Sequence, residues 1–311
     1  MQTILITGGT GLVGTALTKL LLEKKYDVIV LTRQKPELGE STPGIQYSEW
    51  NVEKQTIEEE AIKRADHIIH LAGANIAEKR WSESRKREIA NSRTSSSALL
   101  VKALKEIPNK VRTVVSASAI GWYGEDTPNG KSFKEDDPPA PGFLGESCKA
   151  WEESLEPVKQ LGKRLVKLRT GIVLSNRGGA LPEFRRPLKF GMASILGSGK
   201  QMVSWIHIED LCRMYCFAIE HQQLEEATNA VSPHPVSNKN LVLELAKKSK
   251  GNFFIPLHVP SFVLKIVLGE MSIEVLKSTT VSNQKIKQAG FKYLFPTLDA
   301  ALTHLIKQSE V

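Results

Sequence analysis

The glycine-spaced segment ILITGGTGLVGTAL near the start of the chain most constrains its fold. An apolar stretch, predicted as a strand over Thr3–Thr7, is followed by Gly8, Gly11 and Gly14 and then by an amphipathic helix. Gly8 permits a tight turn, Gly11 lets the main chain approach a pyrophosphate, and Gly14 allows the helix to pack close to the strand. The free amides at the helix N-terminus would then face the phosphate charge. The segment predicts a dinucleotide site.

Short apolar runs alternate with amphipathic stretches through the first two thirds of the chain, which is typical of repeated βαβ units. The further predicted strands are Val28–Leu31, His67–Leu71, Val111–Ser116 and Leu165–Leu168, and a helix is predicted over Asn91–Lys105. We therefore expect an α/β protein with a Rossmann-type doubly wound parallel sheet and a small, mainly helical C-terminal lobe.

A chain of 311 residues exceeds the usual size of one compact core, so we expect two lobes. The first would be a nucleotide-binding Rossmann domain over residues 1–232, and the second a C-terminal lobe over residues 233–311. The lobe has helical patterns at Leu241–Lys250, Pro260–Leu276 and Leu298–Lys307. Two loops, Pro128–Pro141 and Gly178–Gly199, predict borders of the active site, and residues 176–204 are expected to contribute to its substrate side.

The formal net charge of +8 could attract nucleic acid, a membrane surface or a phosphorylated cofactor, and composition alone does not choose. Basic and acidic residues are interspersed, and no basic run is interleaved with aromatic residues, so no nucleic-acid partner is expected. No stretch approaches the ~18 apolar residues of a membrane span, and no signal-peptide pattern precedes the first strand. The three cysteines, Cys148, Cys212 and Cys216, match no disulfide framework or zinc pattern. We expect a cytoplasmic protein with a small-molecule substrate, no metal and no membrane partner, and a homodimer is left open.

The end of the second strand, VIVLTRQK, bears on the choice of coenzyme. An NAD-preferring protein usually carries an acid there for the ribose 2′-hydroxyl, whereas this chain has Thr32 and Arg33. A hydroxyl and a guanidinium can hold a 2′-phosphate by charge-assisted hydrogen bonds, with Lys35 as a further candidate. The residues predict NADP rather than NAD, and the alternative is that Arg33 is a solvated surface arginine.

Several motifs together resemble the short-chain dehydrogenase/reductase superfamily in its extended, epimerase/dehydratase-like branch. After the glycine turn come HLAG at 70–73, SAS at 116–118, YG at 123–124 and WIHIED at 205–210, in the order of that branch. More narrowly, LAGANIAEKRW, GGAL and GSGKQ before WIHIEDL resemble an uncharacterised subfamily labelled "epimerase family protein". Members of that subfamily carry a C-terminal domain of unknown function, which Pro256–Leu302 resembles.

The resemblance implies that Asn51 lies near the adenine and that Leu71 and Ala72 line the cofactor. It places Arg93 and Glu88 on the helix beneath the cofactor. The complete predicted cofactor set is Gly8, Thr10, Gly11, Leu12, Val13, Gly14, Thr32, Arg33, Asn51, Leu71, Ala72, Glu88, Arg93, Ser116 and Lys149.

The resemblance also names catalytic candidates, and here the chain departs from the family pattern. Active members carry a tyrosine four residues before a lysine, because the ammonium lowers the phenol pKa and holds the nicotinamide ribose. This chain keeps Lys149 but has Gly145 at the tyrosine position. Ser118 would take the catalytic serine position, and Tyr123 is a candidate proton donor whose alternative is packing beneath the turn.

Two hypotheses of function follow from this departure. One is an NADP-dependent oxidoreductase or epimerase that acts on a small polar substrate, with Ser118, Tyr123 and Lys149 as its catalytic candidates. The other is a catalytically impaired NADP(H)-binding sensor or regulatory protein, which the missing tyrosine favours because proton transfer is typically worth ~10²–10⁴-fold in rate. Glu146 is a candidate base or a solvent-facing side chain, and His207 is expected to be a structural histidine at the lobe junction.

Overall fold

The computed structural model describes residues 1–36, 42–127 and 129–308, so Pro128 of the predicted loop and the last three residues of the predicted C-terminal lobe lie outside the described part. The strands are β1 (Thr3–Thr7), β2 (Asp27–Thr32), β3 (Ile45–Asn51), β4 (Thr56–Ile57), β5 (His67–His70), β6 (Thr113–Ala119), β7 (Arg164–Thr170), β8 (Ile172–Ser175), β9 (Gly178–Gly179), β10 (Met192–Leu196), β11 (Met202–Val203), β12 (Trp205–His207), β13 (Glu226–Ala230), β14 (Val236–Ser237) and β15 (Ile255–Val259). The helices are α1 (Leu12–Glu23), α2 (Glu59–Arg64), α3 (Glu83–Glu106), α4 (Phe143–Leu155), α5 (Pro157–Gln160), α6 (Ala180–Leu188), α7 (Ile208–Glu220), α8 (Asn238–Lys250), α9 (Ser261–Leu268), α10 (Ser272–Leu276), α11 (Gln284–Gln288) and α12 (Leu298–Lys307). Two short 3₁₀ helices span Ile120–Trp122 and Gly269–Met271.

The central sheet has eight strands in the order β13-β7-β6-β5-β1-β2-β3-β4. Its strands pair in parallel except at β3–β4, which is antiparallel. The chain builds outward from β1 first through β2 and β3 and later through β5, β6 and β7. The strand order therefore reverses between β1 and β5, which is the point where doubly wound sheets bind ligands. The predicted Rossmann-type fold is confirmed.

The sheet is buried on both faces, as parallel sheets are. Alternate residues of β1 serve opposite faces: Ile4 and Ile6 pack in the cluster that contains residues of α1 and α7, and Leu5 packs in the cluster that contains residues of α2, α3 and α4. All five positions of β1 are buried. This double-sided core explains why the strands read as continuous apolar runs in the sequence.

Three strands of the central sheet were missing from the sequence prediction: β3, the two-residue β4, and β13. β3 has the sequence IQYSEWN and is only partly buried, so its apolar signal is weak. β13 has the sequence EATNA, and its inner positions are buried although its residues are small or polar. Position in the sheet, rather than side-chain pattern, makes these segments strands.

The C-terminal part departs from the predicted helical pattern in one region. The segment predicted as helical over Pro260–Leu276 is broken, because Gly269 takes a φ of +62° and ends α9. The segment just before it forms β15, which pairs with β10. A third apolar cluster joins residues of 174–205 with residues of 241–305. In the described ranges no helix has both the length and the apolarity to cross a bilayer.

Candidate cofactor site

The turn between β1 and α1 is shaped by two glycines that could not carry side chains. Gly8 has a φ of +69°, and a Cβ there would lie 2.9 Å from the carbonyl carbon of Leu71. A Cβ on Gly14 would overlap the carbonyl oxygen of Gly8 and lie 2.6 Å from the Cα of Gly9. The helix can therefore start directly against the turn, as the motif predicts.

The N-terminus of α1 is left open for an anion. Its N-cap residue is Gly11, so no side chain caps the first amides, and no acidic residue stands in the first turn. The first amides of a helix have no partner within the helix and carry partial positive charge. The turn thus has the donors and the space that a pyrophosphate requires.

A buried hydrogen-bond chain fixes the neighbouring turn after β5. The Thr7 hydroxyl oxygen accepts from the amides of Leu71 at 3.1 Å and Ala72 at 3.2 Å, so its own proton is donated to Nδ1 of His70 at 2.7 Å. The remaining proton of neutral His70 is then on Nε2, which lies 3.2 Å from the Ser97 hydroxyl. Burial lowers the pKa of His70 to about 3, so the ring stays neutral. Leu71 and Ala72 are thereby held beside Gly8.

The tip of β2 carries the cation Arg33. Arg33 is exposed and has no ion-pair or hydrogen-bond partner among the residues that the structure describes. The Thr32 hydroxyl donates to the carbonyl of Gln34 at 2.9 Å. Lys35 forms an ion pair with Glu58 at 2.5 Å and is therefore already engaged. On the adjacent strand tip, the side-chain oxygen of Asn51 accepts from the amide of Lys54 at 2.9 Å.

Arg93 lies beneath the end of β5, whereas Glu88 is directed elsewhere. A Cβ on Gly73 would lie 3.1 Å from Cζ of Arg93, which places the guanidinium under the HLAG turn. Arg93 donates to the carbonyl of Ile89 at 2.9 Å and its guanidinium lies 4.9 Å from the ring centroid of Trp151. Burial lowers its pKa. Glu88 is exposed and pairs with Arg85 at 2.7 Å.

The two serines at the end of β6 are buried and already bonded. Ser116 donates to the carbonyl of Ala117 at 2.9 Å. Ser118 donates to Oε1 of Glu152 at 2.6 Å, and Arg169 holds the same carboxylate through Nε at 2.8 Å and Nη2 at 3.0 Å. Ser118 is therefore part of a buried ion-pair network rather than a free hydroxyl.

Tyr123 belongs to the same network. Its hydroxyl donates to the side-chain oxygen of Asn229 at 2.6 Å and accepts from Arg169 at 3.0 Å, and its ring stacks on Phe133 at 5.2 Å. Burial raises the pKa of Tyr123 to about 12. A phenol with both hydrogen-bonding positions filled by the protein fits the alternative role of packing beneath the turn.

Gly145 and Lys149 of α4 stand where active relatives carry the catalytic tyrosine and lysine, and neither is arranged for that chemistry. A Cβ on Gly145 would overlap the carbonyl oxygen of Ala140, so this position admits no side chain unless the loop moves. Lys149 is exposed and lies 3.8 Å from Glu153. Glu146 is also exposed, and its carboxylate accepts from the amide of Gly142 at 3.3 Å.

Two contributions escaped the sequence reasoning. The Glu152–Arg169 pair, which holds both Ser118 and Tyr123, gives no motif signal because its members lie on α4 and β7. In addition, β9 packs against the start of α1. A Cβ added to Gly178 or to Gly179 would lie about 3.5 Å from the Leu12 side chain. The GGAL motif could have indicated this segment, because Gly179 has a φ of +76° and a Cβ there would lie 3.0 Å from the carbonyl oxygen of Val173.

His207, Glu209 and His304 are grouped closely enough to suggest metal ligands. However, Nδ1 of His207 accepts the amide of Glu209 at 3.1 Å, so the proton of the neutral ring is on Nε2, which faces Nδ1 of His304 at 3.2 Å. A protonated nitrogen cannot bind a metal. Burial lowers the pKa of His207 to about 3, and the ring caps α7, as expected of a structural histidine.

Comparison with known proteins identifies the family. The model of the NAD dependent epimerase/dehydratase family matches residues 4–231. The chain belongs to this family. A second model, a domain of unknown function (DUF1731), matches residues 259–305, so the resemblance to "epimerase family protein" sequences is confirmed.

Curated relatives and solved structures agree with this membership. Epimerase family protein SSP1921 of Staphylococcus saprophyticus is 35% identical over 98% of this chain and 100% of its own, and YfhF of Bacillus subtilis is 33% identical over 97% of each. The crystal structure of human epimerase family protein SDR39U1 (isoform 2) with NADPH matches with a TM-score of 0.86 at 28% identity, over 98% of this chain and 99% of that one. UDP-glucuronic acid 4-epimerase from Bacillus cereus, in complex with UDP-glucuronic acid and NAD, matches with a TM-score of 0.79 over 99% and 100% at 20% identity, which shows the fold alone.

Proposed function

We propose that this epimerase-family protein binds NADP(H) across the β1–α1 turn and the tip of β2. The observation that carries the proposal is the exposed guanidinium of Arg33 at the strand tip, which has no partner among the described residues, together with the open N-terminus of α1. The solved relative SDR39U1 was crystallised with NADPH, whereas more distant structures hold NAD, so the tip residues of this chain bear on the choice.

The described residues fit such a coenzyme at three places. Gly8 and Gly14 let α1 start directly against the turn, and Gly11 places no side chain at the helix N-terminus. The first amides of α1 would supply donors to a pyrophosphate, and Arg33 would supply a cation to a 2′-phosphate. Arg93 adds a half-buried cation beneath the turn at Leu71 and Ala72. When bound, the nicotinamide would supply or accept a hydride.

We propose as the leading function that of an atypical oxidoreductase or epimerase for a small polar substrate. Its proton donor would have to differ from the usual tyrosine, because position 145 admits no side chain and the Tyr123 phenol is hydrogen-bonded on both sides. Lys149 is exposed on α4 and remains available as a ribose contact. Ser118 could donate to a substrate oxygen only by giving up its hydrogen bond to Glu152.

A second function, an NADP(H)-binding sensor or regulatory protein, is favoured by the same three positions. Gly145, Ser118 and Tyr123 all serve packing, and no described group takes over the tyrosine's role in the usual place. A sensor needs the coenzyme pocket but no acid or base.

Calorimetric titration with NADPH and with NADH tests the binding proposal. Because a charge-assisted hydrogen bond is worth about 1.5–3 kcal/mol, Arg33→Asp should weaken NADPH binding by roughly tenfold to a hundredfold and leave NADH binding nearly unchanged. Arg87→Asp makes the same charge change on the exposed face of α3 and serves as the control. Equal losses for both coenzymes would refute the NADP preference, and no heat with either at millimolar concentration would refute cofactor binding.

Turnover assays separate the two functions. Oxidation or reduction of the coenzyme, or epimerisation of a sugar nucleotide, in a panel of carbonyl and sugar-nucleotide substrates would support the enzyme. A change in assembly state on binding NADPH, measured by light scattering without turnover in that panel, would support the sensor.

A further inference from the structure

The small sheet formed by β10 and β15 has an open apolar face. Its parallel register pairs Met192 with Ile255 and Ser194 with Leu257. Ala193 and Ile195, which alternate with Met192 and Ser194 along β10, are buried in the third apolar cluster. Met192 and Ser194 therefore point to the opposite, outer face of this small sheet. Aromatic residues precede both strands.

These exposed residues form what we call the strand patch, defined as Phe190, Met192, Phe253, Ile255 and Leu257. Phe190 is 78% exposed, Phe253 is 88% exposed and Ile255 is 70% exposed. Because Met192 and Ile255 are paired, the two phenylalanines precede the strands at equivalent positions. Large apolar side chains grouped in this way usually mark an interaction surface.

The patch lies within two stretches of the chain that carry basic residues and no acidic ones. Residues 184–208 and 245–269, which contain β10 and β15, include no aspartate and no glutamate. Their basic residues are Arg185, Arg186, Lys189, Lys200, Lys247, Lys248, Lys250 and Lys265. Lys189 directly precedes Phe190, Lys250 lies three residues before Phe253, and both lysines are exposed. Arg186 pairs with Glu183 and Lys248 pairs with Asp299. Lys189 and Lys250 have no acidic partner among the described residues, and their charges favour an anionic partner.

Strand addition at the open edge of β15 is disfavoured. The amide of Ile255 donates to Gly191 at 2.8 Å, so the alternate residues Pro256 and His258 direct their main-chain groups toward the open edge. Pro256 has no amide proton, and a proline at such a position blocks pairing with another strand. The patch must dock through its side chains.

A second copy of the chain is also a poor occupant. In a two-fold contact the same surface meets itself. Lys189 and Lys250 of one copy would then face the same residues of the other, and like charges repel. An anionic surface would instead attract the two lysines and neutralise their charge.

We propose that the strand patch docks this protein on an anionic lipid membrane. Phe190, Phe253 and Ile255 enter the boundary between headgroups and acyl chains, and Lys189 and Lys250 contact the acidic headgroups. Apolar side chains backed by lysines are the combination that holds peripheral proteins at such surfaces. This attachment differs from membrane spanning and departs from the expectation of no membrane partner drawn from the sequence.

Flotation of the full chain with lipid vesicles tests the proposal. We expect binding to vesicles of phosphatidylcholine and phosphatidylglycerol in equal parts, little binding to phosphatidylcholine alone, and release at high salt. Phe190→Ser with Phe253→Ser should reduce the bound fraction severalfold. Lys189→Glu with Lys250→Glu should reduce it about tenfold or more, given the attraction of each lysine to an anionic surface.

Two controls make the test decisive. Lys102→Glu with Lys105→Glu produces the same change of net charge on the exposed side of α3 and should leave binding intact. Leu294→Ser removes an apolar side chain that is 53% exposed outside the patch. Absence of binding to any vesicle, or equal losses in the control variants, would overturn the proposal. A dimer in light scattering that the two phenylalanine substitutions dissolve would overturn it in favour of a second copy.

Discussion

The carbonyl oxygen of Ala140 occupies the space that a side chain on Gly145 would need. The amide of Ala140 donates to the carbonyl of Trp122 at 2.7 Å, so the loop is anchored to the 3₁₀ helix over Ile120–Trp122. The absence of a tyrosine at position 145 is therefore matched by the backbone around it. Restoring the tyrosine alone would displace this loop rather than rebuild a catalytic pair.

Gly145→Ala should lower the free energy of unfolding by about 1–3 kcal/mol, the usual cost of overpacking. Urea denaturation measures the change, with the exposed neighbour Glu146→Ala as the control. Gly145→Tyr should be at least as destabilised and should show no gain of coenzyme turnover. A stable, newly active Gly145→Tyr variant would contradict the tight fit of the loop.

Ser118→Ala should affect stability rather than coenzyme binding. The hydroxyl donates to Glu152, which keeps both of its bonds to Arg169 when the serine is lost, so the cost should be about 1 kcal/mol. Thermal melts with and without NADPH measure both effects, and the shift caused by NADPH should stay the same. A variant that melts like the wild type yet loses turnover would show that Ser118 acts on a substrate.

Tyr123→Phe tests whether the phenol is structural. Its removal leaves Asn229 and Arg169 each without one buried hydrogen bond, which should cost about 1–3 kcal/mol of unfolding free energy. NADPH affinity from fluorescence titration should remain within the error of the wild type. If Tyr123 were the proton donor, the substitution would instead abolish turnover without a matching loss of stability.

Gly14→Ala should weaken coenzyme binding strongly. Its Cβ would overlap the Gly8 carbonyl and push α1 away from the turn that carries the phosphate donors. We expect NADPH affinity to fall by roughly tenfold or more, since a small misplacement breaks several directional bonds. Thr15→Ala, an exposed neighbour on the same helix, is the matched control for calorimetry. Equal affinities of the two variants would place the phosphate elsewhere.

Stability should fall in mild acid because His70 is buried as a neutral ring. Its pKa is about 3 in the folded chain, against about 6.5 for an ordinary histidine, so the unfolded chain binds more protons between these values. The free energy of unfolding therefore decreases as the pH falls below about 6.5. Between about pH 7.5 and about pH 5 this group alone should remove ~2 kcal/mol.

Urea titrations at the two pH values measure this loss. His70→Asn should start from a lower stability but show a shallower pH dependence than the wild type. His234→Asn, a substitution at an exposed histidine, should keep the wild-type slope. An unchanged slope in His70→Asn would assign the acid sensitivity to other groups, such as His207.

Much of the fold was readable from the sequence because its signals are local. The glycine spacing before an amphipathic helix specified the β1–α1 turn, and continuous apolar runs specified the buried strands β1, β2, β5, β6 and β7. β3 and β13 lack such runs, since their residues are polar or small, and they were missed. The HLAG, GGAL and WIHIED motifs identified the family, because their order along the chain is specific when they are taken together.

The sequence by itself determined the turn that can hold a pyrophosphate and the arginine at the tip of β2, because both depend on residues a few positions apart. Only the tertiary structure decided what Ser118, Tyr123 and Gly145 do. Ser118 and Tyr123 are defined by partners from distant segments, since Ser118 donates to Glu152 and Tyr123 accepts from Arg169. At Gly145 the folded path of the preceding loop brings the Ala140 carbonyl into the space of the missing side chain. Pairings of this kind arise when the chain folds, and no spacing along the sequence encodes them.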